Sequence, residues 1–457
     1  RLRIASNALI TATQPNSAIG LIVKNSAHNS QLQILATASN KNSEIFFGDA
    51  ADDDIGKIDY DHNNNSLAFT VNTAEALKID SAGNANITGI TTAKAFVPTE
   101  GQLSHRNLII NGAMQVAQRG SSSTSTGYTT VDRWQIVTGG VDEAIQTNQH
   151  ALTSSDTGPW ADGFRYSYYI KNGNQTGGAG ASDFVKGMYS IEAQDLAQSG
   201  WNYTSSSSYI TLSFWMMASV SQDYTVNLTS NDGTDQRYPM KTGVVSANTW
   251  TKIIKVIPGN SNIEITSDYG KGMDIMIYPY LGNSHVGGSS INTWSTANVS
   301  NFGGSSTSTW YTTDDATFEI TGVQLEVGST ATPFEHKTFA EDLRRCQRYY
   351  QEQQGHSDLF MYAGKAQGSS SVDGGFTLNV PMRAQPTLTC GEHRAFKSLS
   401  ASQTNSTTAP TITSWDDSHS THSANLGVNL AGHSGFSNNE VVNWCPKSSL
   451  FTVDSEL

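Results

Sequence analysis

ATFEITGVQLEVGSTATPFEHKTFAEDLRRCQRYYQ, residues Ala316 to Gln351, changes its periodicity twice. Phe318 and Ile320 alternate with Glu319 and Thr321, and beyond Gly322 the apolar set returns one position out of phase at Val323, Leu325 and Val327. Period-two alternation marks a half-buried strand. A one-residue phase change at a glycine marks a β-bulge, which keeps the side chains inward while the strand bends. Gly328 and Pro333 end the strand, and Thr338 followed by Glu341 fits a capping box at the start of a helix. Phe339, Leu343, Cys346 and Tyr350 then fall on one helical stripe, with Arg344, Arg345 and Arg348 largely outside it. The stretch predicts a strand closing one β-domain and a short helix opening the next.

Upstream, strand candidates recur at Trp134–Val137, Arg165–Ile170, Tyr209–Met217, Tyr224–Leu228, Thr251–Ile257, Ile263–Thr266 and Met273–Tyr280. Asn231 to Gly233 and Pro258-Gly259 supply turn signals between them. Many short strands with Gly- and Ser-rich joints predict a sandwich or jelly roll over 106–335. A connecting helix is expected over 336–354 and a distal small β-domain over 355–457, with Leu426–Leu430 and Leu450–Val453 among its strands. Residues 1–105 hold short apolar runs between Asn/Ser turns, then a meander over Ile55–Tyr60, Leu67–Val71 and Leu77–Asp80. Such a thread has too little apolar surface to offset its ordering entropy alone, so its natural neighbours are copies of itself. The fold class is all-β.

Two motifs carry a family resemblance. NLIINGAMQVAQRG at Asn107 to Gly120, with Asp132 to Trp134, and ITGVQLEVG with ATPFEH and CQRYYQ further on resemble phage tail-fibre and related virion appendage proteins of a marine-phage type. The meander and its DSAGN ending are similar to shaft repeats of phage fibres, which are homotrimers. The strand run around SFWMMAS and GMDIMIYPY resembles the jelly roll of carbohydrate-binding modules, in fold only. The resemblance implies a homotrimeric virion fibre with a β-rich shaft, acting outside the host cell after assembly in its cytoplasm. Its partners would be other tail or baseplate proteins and a host-surface glycan or receptor. The chain begins at Arg1 rather than Met, so an upstream virion anchor is expected to be missing.

Composition bears on the same question. The 457 residues suffice for three or more domains, and with only 15% charged residues and 40 glycines the chain suits short strands better than long helices. A net charge of −13 argues against nucleic acid, which needs clustered Lys and Arg. The three cysteines, Cys346, Cys390 and Cys445, are too few and too scattered for a disulfide framework. No apolar run approaches the roughly 20 residues needed to span a bilayer, so membrane insertion is not expected.

Sugar binding needs exposed rings that stack on a pyranose face, with carboxylates and amides bonding its hydroxyls. Trp160, Trp201, Tyr203, Trp294, Trp310 and Tyr311 lie in Ser/Gly/Asn-rich contexts and are the ligand-binding candidates, although a loop Trp also serves to cap a sandwich end. Trp134, Trp215 and Trp250 sit on strands, where core or inter-chain packing is expected. At the distal end Trp415, Asp416 and Asp417 are further ligand candidates, and His419 and His422 are candidates for a metal shared across a threefold axis. The stripe Phe339, Leu343, Cys346 and Tyr350 is a candidate trimer interface, its alternative being packing on its own sandwich. Asp59, Asp61, Asn63 and Asn65 mimic the opening of a calcium loop but lack its Gly and closing Glu, which favours a plain hairpin turn.

No nucleophile elbow, His-Glu-x-x-His, Walker motif or coil-like repeat appears, so neither an enzyme nor a cofactor is expected. The sequence reads as an adhesive fibre, with a purely structural appendage or adaptor as the alternative and a polysaccharide depolymerase behind both.

Overall fold

The computed structural model describes residues 34–36, 38–91, 104–288, 290–303, 307–354, 362–390, 392–397, 403–408, 411–414, 425–446 and 450–457. The chain divides into two compact units, Arg1–Val97 and Pro98–Leu457.

The first unit is a five-stranded antiparallel meander: β1 (Asn42–Phe47), β2 (Gly56–Asp61), β3 (Ser66–Val71), β4 (Ala74–Ile79) and β5 (Ala85–Ile87). Its register lines up Ile45, Ile58, Phe69, Leu77 and Ile87 across one face, with Tyr60, Leu67 and Ile79 in the next row. The other face carries Glu44, Lys57 and Asp59, with Lys57 Nζ 3.2 Å from Glu44 and 3.6 Å from Asp59. Asp61 accepts from the backbone N–H groups of Asn63 and Asn64 at 2.8 and 3.3 Å, and Asn65 takes φ 50°, so the calcium-like spacing is an Asx-stabilised hairpin turn.

The second unit is built on a jelly-roll β-sandwich. Its strands are β6 (Ser122–Ser123), β7 (Trp134–Gly139), β8 (Gln146–Ala151), β9 (Tyr166–Lys171), β10 (Phe184–Glu192), β11 (Tyr209–Ala218), β12 (Gln222–Ser230), β13 (Gln236–Val245), β14 (Thr251–Pro258), β15 (Lys271–Leu281), β16 (Ser295–Thr296) and β17 (Thr317–Val327). They form a back sheet, β16-β13-β12-β15-β10-β7, and a front sheet, β14-β11-β17-β9-β8-β6. Alternate residues from both sheets fill one core, with Tyr224 of β12 edge-on to Phe318 of β17 at 5.1 Å and Trp134 of β7 packed on Tyr168 of β9. Strand β17 spans the range its alternation predicts. At Gly322 (φ 63°) its pairing with β11 shifts by one residue, which is the expected bulge, and a Cβ there would lie 2.5 Å from the Phe164 ring. Ile263–Thr266 forms no strand, only an isolated bridge from Glu264 to Asp232.

Short helices α1 (Ala193–Ala197) and α2 (Thr309–Thr312) lie within the sandwich, and α3 (Phe339–Cys346) follows it. Thr338 Oγ1 accepts from Glu341 N at 3.3 Å, so half the capping box forms, while the Glu341 carboxylate goes to Lys337. The terminal module contains β18 (Tyr350–Gln354), β19 (Tyr362–Gln367), β20 (Ser371–Thr377), β21 (Thr387–Cys390), β22 (His393–Lys397), β23 (Gln403–Ser406), β24 (Thr411–Ser414), β25 (Asn425–Ala431), β26 (Val441–Pro446) and β27 (Leu450–Asp454). Its sheets are β18-β27-β21 and β23-β22-β26-β19-β20-β25-β24, around a core that includes Trp444, Val428, Leu430 and Val453. Within it a buried relay fixes two neutral imidazoles. His393 donates from Nε2 to the Thr408 carbonyl (2.9 Å), its Nδ1 then accepts from His433 Nε2 (3.0 Å), and His433 Nδ1 accepts from Thr404 (3.0 Å).

The segment 336–354 is not one continuous helical connector. Strand β18 belongs to the segment expected to be a helical connector, and it pairs with β27 near the other end of the module. Tyr350 is therefore a strand residue, not part of the α3 stripe. Cys346 and Tyr350 are covered by their own chain, and Leu343 packs with Ile110, Val116, Cys346, Tyr349 and Leu457. Of the stripe offered as a trimer interface, only Phe339 is exposed.

A structural joint and a candidate glycan-binding face

The two motifs that carried the family resemblance meet in space and form the joint between sandwich and terminal module. Asn107 uses its side chain to accept from Ile109 N and Leu325 N and to donate to the Val323 carbonyl, tying NLIING to the bulged strand. Arg133 is fully buried and pairs with Glu456, donates to the Ser190 carbonyl at 2.7 Å, and lies 3.4 Å from the centre of the Tyr349 ring. Arg119 stacks on Tyr350 at 3.7 Å and reaches Asp454 (2.9 Å) and Glu456 (3.3 Å). Arg348 grips Glu192 with two bonds of 3.1 and 2.9 Å. Burial alone would push the Glu192 carboxyl up, but the Arg348 guanidinium holds it below its usual value. Burial pushes Asp132 up to about 6 despite Gln118 and Arg119 beside it. Tightly paired, water-excluded charge of this kind holds parts together and offers no face to a ligand.

The loop aromatics expected to bind sugar divide sharply. Trp310 and Tyr311 are fully buried, Trp201 is 3% exposed and Trp294 9%. Each ring caps the sandwich, with its polar atom on a backbone carbonyl. Trp201 donates to Ser208, Trp294 to Pro258 (2.7 Å), Trp310 to Thr317 (3.0 Å) and Tyr311 to Gly140 (3.1 Å). A ring without a free face cannot stack on a pyranose, so these four are corrected to core residues. Tyr203 is half-buried against the same core, its hydroxyl 3.4 Å from the Ile265 carbonyl. Trp160 is half-buried beneath Arg165, which stacks on it at 3.8 Å. Trp415, Asp416, Asp417, His419 and His422 lie outside the described residues.

The better constellation is on the outer face of the front sheet. In β11 the core takes Ile210, Leu212, Phe214, Met216 and Ala218, so Trp215 and Met217 must point outward. Pairing sets Met217 opposite Glu319, Glu319 opposite Tyr169, and Tyr169 opposite Asn148. In the adjoining row Lys252 lies opposite Trp215, and Ser167 opposite His150. The result is a strip of half-exposed rings with an acid at its centre. Glu319 is 3% exposed and accepts from Ser167 Oγ (2.6 Å) and His150 Nδ1 (3.0 Å). That hydrogen bond raises the His150 pKa above its ordinary value against a smaller opposing effect of burial. The loop after β8 borders the strip: Asp162 accepts from the Trp215 indole at 2.9 Å, Asp156 accepts from the Trp250 indole at 3.1 Å, and Gly158 lies against the Trp215 ring. Trp215 and Trp250, expected in packing, thus stand at the face. The strict alternation of β11 held the signal, since its phase already sends Trp215 away from the core.

No protein-family model matches the chain, and no curated protein matches it. Among solved structures, the enzymatically active domain of tailspike protein 4 from bacteriophage CBA120 is similar at 11% identity and a TM-score of 0.26, over 49% of this chain and 21% of that one. The chain therefore spans only 21% of that protein's length. The N-terminal cellulose-binding domain of Cellulomonas fimi β-1,4-glucanase C is 10% identical over 48% of this chain and 99% of its own, with a TM-score of 0.23. The family 11 carbohydrate-binding module of a cellulosomal cellulase from Clostridium thermocellum is 11% identical over 48% and 98%, with a TM-score of 0.22. The functional reading rests on this chain's own residues.

Proposed function

We propose that the chain is a virion fibre protein that attaches to a host-surface glycan through the outer face of its front sheet. The observation that carries this is the strip of Trp215, Met217, Tyr169, Glu319, His150 and Asn148, which sets apolar ring faces beside hydrogen-bonding groups as sugar recognition requires. The face acts by binding and not by catalysis. Glu319 is held by Ser167 and His150, and Asp156 and Asp162 by indole N–H groups, an arrangement that fixes rings and leaves no carboxylate pair across an open cleft.

Copies of the chain assemble as a trimer through the first unit in this reading. Its single sheet leaves Phe47 and Val71 more than half exposed on an otherwise apolar face, a surface that identical sheets can bury together. Multivalency then turns weak sugar contacts into avidity. Glycan-array binding of wild type and Trp215→Ala tests the reading, with native mass measured for both. Undiminished binding of neutral glycans by Trp215→Ala, or binding by neither protein to any glycan or host cell, would sink it and leave a structural appendage as the better account.

A further inference from the structure

A second candidate site lies where α3 meets the terminal module. A cleft of about 420 Å³ is lined by His105, Glu341, Arg344, Arg345, Arg348, Val380 and Pro381. Its charges are unevenly matched. Arg348 is committed to Glu192, and Glu341 is offset by Lys337 at 3.5 Å. Among the described residues, neither Arg344 nor Arg345 has a carboxylate within the 4.0 Å of an ion pair, and Arg345 Nη1 is enclosed without a hydrogen-bond partner. Asp342 and Asp195 feel the Arg345 charge from farther away. Two cations without an ion-pair partner among the described residues, in a chain of net charge −13, are not explained by a shortage of acids. Placement in the last turn of α3 suits the helix dipole, which accounts for basic residues there. It does not account for their convergence on one concavity.

We propose that this cleft binds the carboxylate of an acidic sugar residue, held by the Arg344 and Arg345 guanidinium groups, with Val380 and Pro381 supplying an apolar wall to the ring. A planar guanidinium fork matches a carboxylate with two parallel hydrogen bonds, which a lysine cannot do. The choice of a sugar as carrier rests on the glycan reading above; the choice of an oxyanion does not. The site belongs to a different part of the unit from the Trp215 face, so the two are separable by mutation.

The test is titration calorimetry of the full chain with trigalacturonate, with the neutral trisaccharide of galactose, and with inorganic sulfate, at two salt concentrations. Trigalacturonate is expected to bind with an affinity that falls as salt rises and that drops at least tenfold in Arg344→Gln and Arg345→Gln, while Trp215→Ala leaves it unchanged. A merely structural Arg345 would lower Tm when replaced. A ligand-binding one leaves Tm unchanged or raised, because the substitution removes an unsatisfied buried group. Sulfate binding without trigalacturonate binding would overturn the sugar assignment, and trigalacturonate binding that survives both arginine variants would overturn the site. Failure of the wild-type chain to bind any neutral glycan, with trigalacturonate binding intact, would count against the Trp215 face and leave this cleft standing.

Discussion

The joint and the front-sheet face use the same chemical vocabulary of aromatic rings, basic groups and carboxylates to opposite ends. At the joint, Arg133 and Tyr349 are buried, and Arg133 carries Glu456, the Ser190 carbonyl and a ring face at once. On the face, Trp215 and Tyr169 keep part of each ring exposed, and His150 leaves half its side chain in solvent. Charge sealed from water stabilises only when every partner is present, whereas a half-exposed ring contributes little to folding and keeps a surface for a ligand. Exposure of the aromatic, more than its identity, separates scaffold from candidate site in this molecule.

The contrast is broken most directly at the joint. Glu456→Ala leaves Arg133 buried and unpaired, and an equilibrium urea titration is expected to show a loss of about 3–5 kcal/mol. Truncation before Leu450 should be worse, because it also removes β27 from between β18 and β21. Next comes a matched pair of identical substitutions. Trp310→Ala should cost about 3–5 kcal/mol, as for any fully buried large ring. Trp215→Ala should cost under about 1 kcal/mol in stability while lowering glycan affinity about tenfold or more. Equal stability losses from the two would erase the distinction.

Acid offers a milder test with two signs. Burial, with His393 alongside, pushes the His433 imidazole down to about 4 from its ordinary 6.5, and burial also lowers His393. Above pH 6.5 neither the folded nor the unfolded chain is protonated there, so the full contribution is present. Between 6.5 and about 4 only the unfolded chain takes the proton, and the module weakens as pH falls. His150 runs the other way. Its raised folded value makes the pairing with Glu319 fully stabilising below 6.5 and progressively lost as pH rises through that raised value. Thermal melts across pH 4–8, repeated on His433→Gln and His150→Gln, should lose the acid-side and the alkaline-side slopes respectively. The smallest effect is expected from Leu343→Asp, which should leave the assembly state unchanged because α3 packs on its own chain.

Much of this architecture was legible in alternation. The range of β17, the bulge at Gly322 and the meander strand over Leu67–Val71 follow from period-two patterning. Strands β8, β10 and β13 were not legible, for identifiable reasons: β8 reads QTNQHA with no apolar run, β10 has a glycine at Gly187, and β13 carries a proline at Pro239. Their pairing is decided by partners far along the chain. The candidate site was misread through context. Ser/Gly/Asn-rich surroundings marked Trp310 and Tyr311 as loop residues, and they do lie between strands, but their rings turn inward to cap the core. The recognisable motifs, in turn, encode the joint. A conspicuous signature such as NLIING or CQRYYQ reports here on what must fit together within the chain.

Glu456 lies 323 positions beyond Arg133. A ribosome adding roughly 5–20 residues per second leaves that arginine waiting roughly 16–65 s for its counter-charge. Through that interval the sandwich carries an unneutralised cation in its flank and cannot reach its final stability. A chain lacking Glu456 is expected to stay in that less stable state and to be cleaved faster in limited proteolysis than one that contains it. The Arg133–Glu456 pair therefore forms late in synthesis, long after the sandwich strands that surround Arg133 have been made.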